Sequence, residues 1–291
     1  MVHTLLAPAA PAPMTAPLAN LEAWTRCFVA TEIPVMAETA RALEVLRAKE
    51  DEVDAAMLAK AIQTDPLMTI KVMAHVASLR RPCAHAMDSS KTETITGALV
   101  MLGIAPFFRH FGPQPTVEDR LAEQPQALEA VRELLLRAER ARLFALGFAV
   151  HRADMDVDVI LHAAFLHDFA ELLLWCHAPA LALQIQAAQQ ADPTLRSAAI
   201  QKTVLNIELD DLAQQLMRHW RLPALLVRIS DVRHAEQANV LNVVLAVRLA
   251  RHTLHGWDNP AVPDDVEAIA KLLNATPRIA LAYLHKILAD L

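Results

Sequence analysis

Glycine is scarce in this sequence, with only 5 residues in a chain of 291. A sheet-rich fold of this length needs many tight turns, and glycine adopts their positive φ angles at the lowest energetic cost. Alanine and leucine are instead abundant, arginine and glutamate are also frequent, and all four favour helices. The composition therefore predicts an all-α protein.

Cysteine is also rare, and the three residues present, Cys27, Cys83 and Cys176, include no pair at the spacing of a metal-binding or redox motif. Their odd number argues against a disulfide scaffold and fits a reducing compartment. The N-terminus lacks a basic region followed by an apolar run, so we expect no signal peptide. The apolar stretch 159–166 ends at His167, well short of the roughly 20 residues that a membrane-spanning helix needs. We therefore expect a cytoplasmic protein that does not contact membranes.

Positively charged residues are fewer than negatively charged ones: 27 lysines and arginines stand against 33 acidic residues, which gives a formal net charge of -6. A protein that binds nucleic acid needs a basic face to neutralise phosphates. The densest basic clusters in the sequence, Arg80-Arg81 and Arg137-Arg140-Arg142, are typical of solvated helix surfaces. The charge therefore predicts no nucleic-acid partner, and a protein that is monomeric or weakly dimeric.

Proline marks the boundaries within the chain. Residues 1–19 are rich in alanine and proline and lack a helical period, so we expect a disordered tail. Residues 112–125 contain three prolines and a glycine, and we interpret them as a linker. These boundaries predict a smaller helical lobe at 20–111 and a larger helical lobe at 126–291.

Helical periodicity is clear in both predicted lobes. In the first lobe, apolar residues between Met36 and Leu46 recur at spacings of three and four. In the second lobe, the pattern predicts a long helix at about 127–151 and another from about 156 to 176. Each is long enough to form part of a core.

The sharpest local feature is the adjacent pair His167-Asp168, inside the apolar sequence of the second of these helices. Both side chains are costly to bury unless they pair with other groups or bind a metal. Among the remaining histidines, His252 and His255 have the i, i+3 spacing of one helix face, but no acidic partner is apparent for them. We interpret that second pair as surface.

Six segments between about residues 30 and 255, one of which contains the His-Asp pair, form an ordered set of motifs. They are Ile33-Pro34-Val35, Asp65-Pro66-Leu67-Met68-Thr69, Thr94 to Gly103, Ala164 to Asp168, His219-Trp220-Arg221-Leu222-Pro223 and Arg233-His234. Together they resemble the HDOD family, the HD-related output domains, which are relatives of metal phosphohydrolases. The resemblance implies a small N-terminal helical lobe beside a larger HD-like helical bundle. It also implies a bacterial signal-transduction role, through contacts with regulatory proteins that the sequence does not identify.

The resemblance includes departures at the metal site. In the related phosphohydrolases, the His-Asp pair and further residues on other helices bind the metal that activates a water. Here Arg137 stands where a first histidine is expected, Leu209 stands where another is expected, and the helix at 238–257 has no aspartate. One histidine and one aspartate are too few ligands to hold a metal. The resemblance therefore implies a pseudo-phosphohydrolase without metal, cofactor or catalytic residues, in which His167 and Asp168 are vestigial.

Two alternatives remain open. The first is a metal-dependent phosphohydrolase, acting on nucleotides or cyclic dinucleotides, with a rearranged ligand set. The second is a nucleotide-sensing module that binds without turnover, in which Arg137 meets a phosphate. His234 is a further candidate for contact with a ligand or partner, although a packed and hydrogen-bonded histidine is the simpler interpretation.

Overall fold

The computed structural model describes residues 12–79, 94–192 and 195–289. Within these ranges every regular element is a helix, and the only extended pairing is a single bridge between Val35 and Thr116. The all-α prediction is therefore confirmed. Cys83, the basic pair at 80–81 and the first eleven residues of the predicted tail lie outside the described ranges.

The smaller lobe consists of short helices with polar N-terminal caps. The side chains of Asp54 and Thr94 accept hydrogen bonds from the backbone N–H groups of Met57 and Gly97, and so begin α3 and α5. Gly103 separates α5 from α6 with a φ of 79°, a conformation that glycine adopts without strain. The helices up to the junction between the lobes are α1 (Leu21–Ala30), α2 (Ala37–Arg47), α3 (Ala55–Ile62), α4 (Pro66–Leu79), α5 (Ile95–Leu102), α6 (Ile104–His110) and α7 (Val117–Arg120).

The larger lobe is built around one long helix, α8, which has 28 residues and begins at Pro125. Proline suits the first turn because its missing N–H would have no partner there. Helices α9 and α15 pack along α8, and Phe144 and Phe148 are fully buried at this centre. The helices are α8 (Pro125–Arg152), α9 (Val157–Phe165), α10 (Phe169–His177), α11 (Pro179–Ala191), α12 (Ser197–Leu205), α13 (Leu209–His219), α14 (Ala224–Ile229), α15 (Ala238–His252), α16 (Val262–Leu272) and α17 (Pro277–Ala289).

The segment interpreted as a linker, residues 112–125, is a packed part of the fold. It contains α7, whose Val117 is fully buried. The N–H of Val35 donates to the carbonyl of Pro115 at 3.0 Å, and the N–H of Val117 donates to the carbonyl of Val35 at 2.9 Å. The prolines therefore interrupt the helices, as expected, but the segment between them is fastened to the first lobe.

Helix α1 belongs to the smaller lobe by sequence and packs on the larger lobe in space. It lies against α13, and the indole N–H of Trp24 donates to the carbonyl of Leu205 at 2.9 Å. Trp24 and Phe28 are both buried, with their ring centroids 5.6 Å apart in an edge-to-face arrangement. The first helix therefore connects the two predicted lobes.

The described part of the predicted tail, residues 12–19, has no helix but is bonded to the larger lobe. The N–H of Met14 donates to the carbonyl of His177 at 2.8 Å. The side-chain amide of Asn206 donates to the carbonyl of Leu18 at 3.0 Å. These two hydrogen bonds hold this stretch against the helices.

One helical stretch, Val157–His177, has the length and the mean hydropathy of a membrane span, longer than the apolar run visible at 159–166. In the folded protein, 83% of the apolar segment of this stretch is buried. Its apolar character is explained by its place at the centre of the larger lobe, where α9 and α10 pack against α8.

Candidate functional site

The His-Asp pair lies in a turn, and not inside a continuous helix as the sequence predicts. Helix α9 ends at Phe165 and α10 begins at Phe169, so the helix expected from 156 to 176 is broken. Asp168 directly precedes α10, a position where an aspartate side chain normally accepts backbone N–H groups. It makes no such cap hydrogen bond here, because both of its oxygens bind other side chains.

Four side chains form a buried ionic group between α8 and α10, which we call the Arg137 cluster: Arg137, His167, Asp168 and Glu171. Arg137 Nε donates to Asp168 Oδ2 at 2.7 Å, and Arg137 Nη2 donates to Glu171 Oε2 at 2.8 Å. The Nδ1 atom of His167 lies 2.9 Å from Asp168 Oδ1. The side chains of Arg137 and Asp168 are only 13% and 8% exposed. One guanidinium therefore holds two carboxylates, of which Asp168 is buried and Glu171 is 31% exposed.

Burial and pairing act in opposite directions on these groups. Burial alone would raise the pKa of the Asp168 carboxyl, but the charge of Arg137 and the hydrogen bond from His167 hold that pKa well below its usual value. Burial would lower the pKa of His167, and its bond to Asp168 outweighs this and raises it. The pKa of Arg137 is also raised, because the two carboxylates outweigh its burial. The pairing therefore favours the charged forms of Arg137, His167 and Asp168.

The interpretation of Arg137 as part of a solvated helix surface is wrong, because the side chain is 13% exposed and bound to two carboxylates. That interpretation rested only on the number of arginines close together in the sequence. Its neighbours on α8 are also engaged: Arg140 donates to the carbonyl of Thr253, and Arg142 pairs with Glu139 one turn earlier. This face of α8 meets α10 and the end of α15. Arg137 and Arg140 are therefore part of the packing between helices, whereas the pair of Arg142 and Glu139 lies within α8.

A cleft of two adjoining cavities, about 300 and 260 Å³ in volume, opens beside the cluster. Arg137 lines the first cavity, His167 and Asp168 line the second, and Leu209 and Arg251 line both. The structure therefore brings together the positions at which the resemblance places metal ligands. They come from α8, from the turn before α10, from α13 and from α15.

The donors in this cleft do not fit a metal centre. Asp168 already binds a guanidinium through one oxygen and an imidazole through the other. Leu209 has no donor atom, and Arg251 is a cation that would repel a metal ion. Over the described ranges, no three side chains of His, Cys, Asp or Glu are grouped to hold a metal ion.

A second buried carboxylate, Asp265, was missed at the sequence level. It is 2% exposed, and it binds Arg248 Nε at 2.5 Å and His252 Nδ1 at 2.6 Å. The interpretation of His252 as a surface histidine without an acidic partner is therefore wrong. The partner lies on the next helix, where the chain has turned back. Asp265 falls on the apolar stripe of α16 between Val262 and Val266. An acidic residue on an apolar helix face indicates a buried pair, and this pattern could have been noticed in the sequence.

His234 lies apart from the Arg137 cluster and lines neither of the two cavities beside it. It ends the short 3-10 helix Val232–His234, its side chain is 53% exposed, and its Nδ1 lies 3.2 Å from Glu236 Oε1. The sequence favoured a packed His234, but in the structure this side chain is exposed. It lines a different cleft, together with three arginines.

The fold and the site together define an HD-related helical domain, with a His-Asp pair in its larger lobe and altered residues around that pair. The family model for the HDOD domain matches residues 33–236. The chain belongs to the HDOD family. No curated protein matches the chain in sequence.

Solved structures with a similar fold include two that span nearly the whole of this chain. The MmoQ response regulator from Methylococcus capsulatus (strain Bath) is 19% identical, with a TM-score of 0.61 over 88% of this chain and 99% of that chain. A virulence factor from Campylobacter jejuni is 17% identical, with a TM-score of 0.59 over 94% of this chain and 100% of that chain. At these identities the likeness shows a shared helical fold.

Proposed function

We propose that this protein is a non-catalytic regulator of bacterial signal transduction, which acts in the cytoplasm through contacts with other proteins. It needs no cofactor, binds neither nucleic acid nor membranes, and works as a monomer or weak dimer. The observation that carries the proposal is the 2.7 Å bond between Arg137 Nε and Asp168 Oδ2. Membership of the HDOD family and a fold shared with a response regulator support the regulatory role.

The guanidinium of Arg137 takes the part that a metal cation would play at this position. It carries a permanent positive charge, and its planar fork suits two carboxylates at once. It therefore neutralises Asp168 and Glu171 but offers no coordination position at which a water could be activated. A metal bound at Asp168 would leave a buried guanidinium with fewer partners, at a cost of about 3–5 kcal/mol for breaking a buried pair.

The nucleotide-sensing alternative is weakened by the same geometry. A phosphate at Arg137 would have to compete with Asp168 and Glu171 for the guanidinium and would meet their negative charges. Arg251 is exposed in the cleft and carries the one guanidinium there that is free of hydrogen bonds or ion pairs in the described structure. One such side chain is a weak basis for nucleotide recognition, so we do not favour this function.

The test combines elemental analysis of the purified protein with assays of phosphate release. Linear and cyclic nucleotides would be supplied with manganese, iron or magnesium. We expect substoichiometric metal and no turnover. The variant His167→Ala should lose roughly 1–4 kcal/mol of unfolding free energy, because it removes a buried partner of Asp168.

His255→Ala is the matched control, because His255 is an exposed histidine that lines the neighbouring cavity. It should leave stability almost unchanged. The proposal would be overturned by stoichiometric transition metal together with turnover that His167→Ala abolishes and His255→Ala retains.

A further inference from the structure

A second cleft lies on the larger lobe, and we call it the Arg221 cleft. Its volume is about 460 Å³, and it shares no lining residue with the two cavities beside the Arg137 cluster. The chain that forms it, residues 218–234, holds four arginines against one aspartate, in a protein with a net charge of -6. Positive charge is therefore concentrated at one place on an acidic molecule.

The Arg221 cleft has a basic rim and an apolar floor. Arg218, Arg221 and Arg228 line the rim, and all three are exposed. Leu222 and Val227 line the floor between them. A ligand in this cleft would meet positive charge at its edges and aliphatic side chains beneath.

The one acid of the cleft, Asp231, leaves two of the three rim arginines, Arg221 and Arg228, without an ion pair in the described structure. Its carboxylate is occupied by Arg233, whose Nε and Nη2 each lie 2.8 Å from an oxygen of Asp231. Arg218 lies farther away, at 3.5 Å. Across the described ranges, the side chains of Arg221 and Arg228 have neither a hydrogen bond nor an ion pair. Two guanidinium groups therefore face solvent with all their donors available.

The backbone at Arg221 is fixed by the end of α13. Its φ is 55°, in the left-handed region that glycine and asparagine adopt most easily. Arg221 follows the C-cap residue Trp220, and the N–H of Leu222 donates to the carbonyl of Met217 at 3.0 Å, as is usual where a helix ends in a left-handed residue. The left-handed conformation is therefore explained within the chain, and it is the exposed charges of the cleft that point to a ligand.

We infer that the Arg221 cleft docks an acidic, partly aliphatic segment of a partner protein. This inference rests on the proposed regulatory function and names the chemistry of its partner. The apolar floor formed by Leu222 and Val227 favours a peptide over a nucleic acid, which presents phosphates and base faces. A long polyanion would also leave the cleft and run over a surface of net negative charge.

The test measures fluorescence anisotropy of a labelled peptide of about twelve residues, made of glutamate, aspartate and leucine. A lysine and leucine peptide and a single-stranded DNA of about twelve nucleotides serve as comparison probes. The variant Arg221→Glu with Arg228→Glu should weaken binding of the acidic peptide about tenfold, because two attractive rim charges become repulsive. Raising the salt from about 50 to 300 mM should weaken binding to the unaltered protein as well.

Arg109→Glu with Arg278→Glu is the matched control, since both residues are exposed and the change in net charge is the same. It should leave peptide binding within about twofold. Arg221→Asn, which suits the left-handed backbone, removes one rim charge and should weaken binding less than the double reversal does.

Three outcomes would overturn the inference: no binding of the acidic peptide, equal loss in both charge-reversed variants, or tighter binding of the DNA than of the peptide. The metal and turnover assays described above do not involve the peptide. A protein that is metal-free and inactive yet fails to bind the peptide would therefore refute the docking site and leave the regulatory proposal standing.

Discussion

Arg137 is bonded to two carboxylates on one side of α10, and this geometry makes its effect on stability measurable. Replacing it by methionine keeps the aliphatic stem but leaves Asp168 buried without its cation. We expect Arg137→Met to lower the unfolding free energy by about 3–5 kcal/mol, as for other broken buried pairs. Arg137→Lys should cost less, because it keeps a charge but cannot reach both carboxylates in a planar fork.

The double variant Arg137→Met with Asp168→Asn separates the two contributions. It removes the uncompensated charge, so it should be more stable than Arg137→Met alone. Urea unfolding followed by circular dichroism gives all three values. A free energy for Arg137→Met within about 0.5 kcal/mol of the unaltered protein would show that the cluster does not hold the helices together.

His177 provides a test by pH. It ends α10, is 3% exposed, and neither ring nitrogen has a hydrogen-bond partner in the described structure. Burial, with help from the charge of Arg120, lowers the pKa of His177 from 6.5 to about 3. Between these values the unfolded chain binds more protons than the folded protein. The contribution of His177 to stability is therefore fully present above about pH 6.5 and is lost as the pH falls toward 3.

We expect this histidine to remove about 2 kcal/mol of unfolding free energy between pH 7 and pH 5. The variant His177→Phe should lose that share of the pH dependence, since phenylalanine fits beside Phe28 and does not titrate. Urea titrations at both pH values measure this change in the unfolding free energy for each protein. An unchanged slope in His177→Phe would show that the histidine is protonated or hydrated in the folded protein.

Individual residues differ in how far the sequence could predict them. Arg137 and Leu209 were placed at the site by their position relative to other segments, and both line the cleft. The bond between Arg137 and Asp168 could not be read from the sequence, because it depends on how α8 lies against α10. Asp265 was missed for a related reason, since its partners are on a different helix.

At the scale of helices, α17 is held against α8 through a glycine. A side chain at Gly147 would place its first carbon 2.4 Å from Ile287 Cδ1, and the Tyr283 hydroxyl donates to the carbonyl of Gly147 at 2.8 Å. We expect Gly147→Val to lower the unfolding free energy by about 1–3 kcal/mol through overpacking between the two helices. Gly112→Ala is the control, because nothing lies within 4 Å of the added carbon there.

Chemical denaturation of Gly147→Val and Gly112→Ala measures the loss of unfolding free energy caused by overpacking. The variant Tyr283→Phe tests the hydrogen bond separately, with an expected loss of about 1 kcal/mol. A Gly147→Val protein as stable as the Gly112→Ala control would show that α17 moves aside without cost.

The helices themselves were predictable where caps and periodicity agreed. Thr94 caps the start of α5 and Gly103 follows its end, and these residue types favour the two positions. The break between α9 and α10 was not predictable in this way, because its sequence contains neither proline nor glycine. At this turn the side chain of Asp168 binds Arg137 of α8, which is a tertiary contact and not a local pattern.

At the scale of the whole molecule, the two predicted lobes share one continuous core. The prolines led us to predict a linker at 112–125, and they could not show that α7 would be buried or that Val35 would pair with Thr116. The position of α1 on α13 was equally hidden, since it joins distant parts of the chain. Sequence patterns are local, and these contacts are not.

That contact between α1 and α13 has a consequence for how the protein is made. Trp24 and the carbonyl it binds at Leu205 are separated by 181 residues. At synthesis rates of about 5–20 residues per second, α1 emerges from the ribosome roughly 10–40 s before its docking surface exists. During that interval the apolar face that carries Trp24 and Phe28 is exposed on the nascent chain. Helix α1 is therefore among the last to reach its place, and the chain has to be kept from aggregating through this exposed face until translation is well advanced.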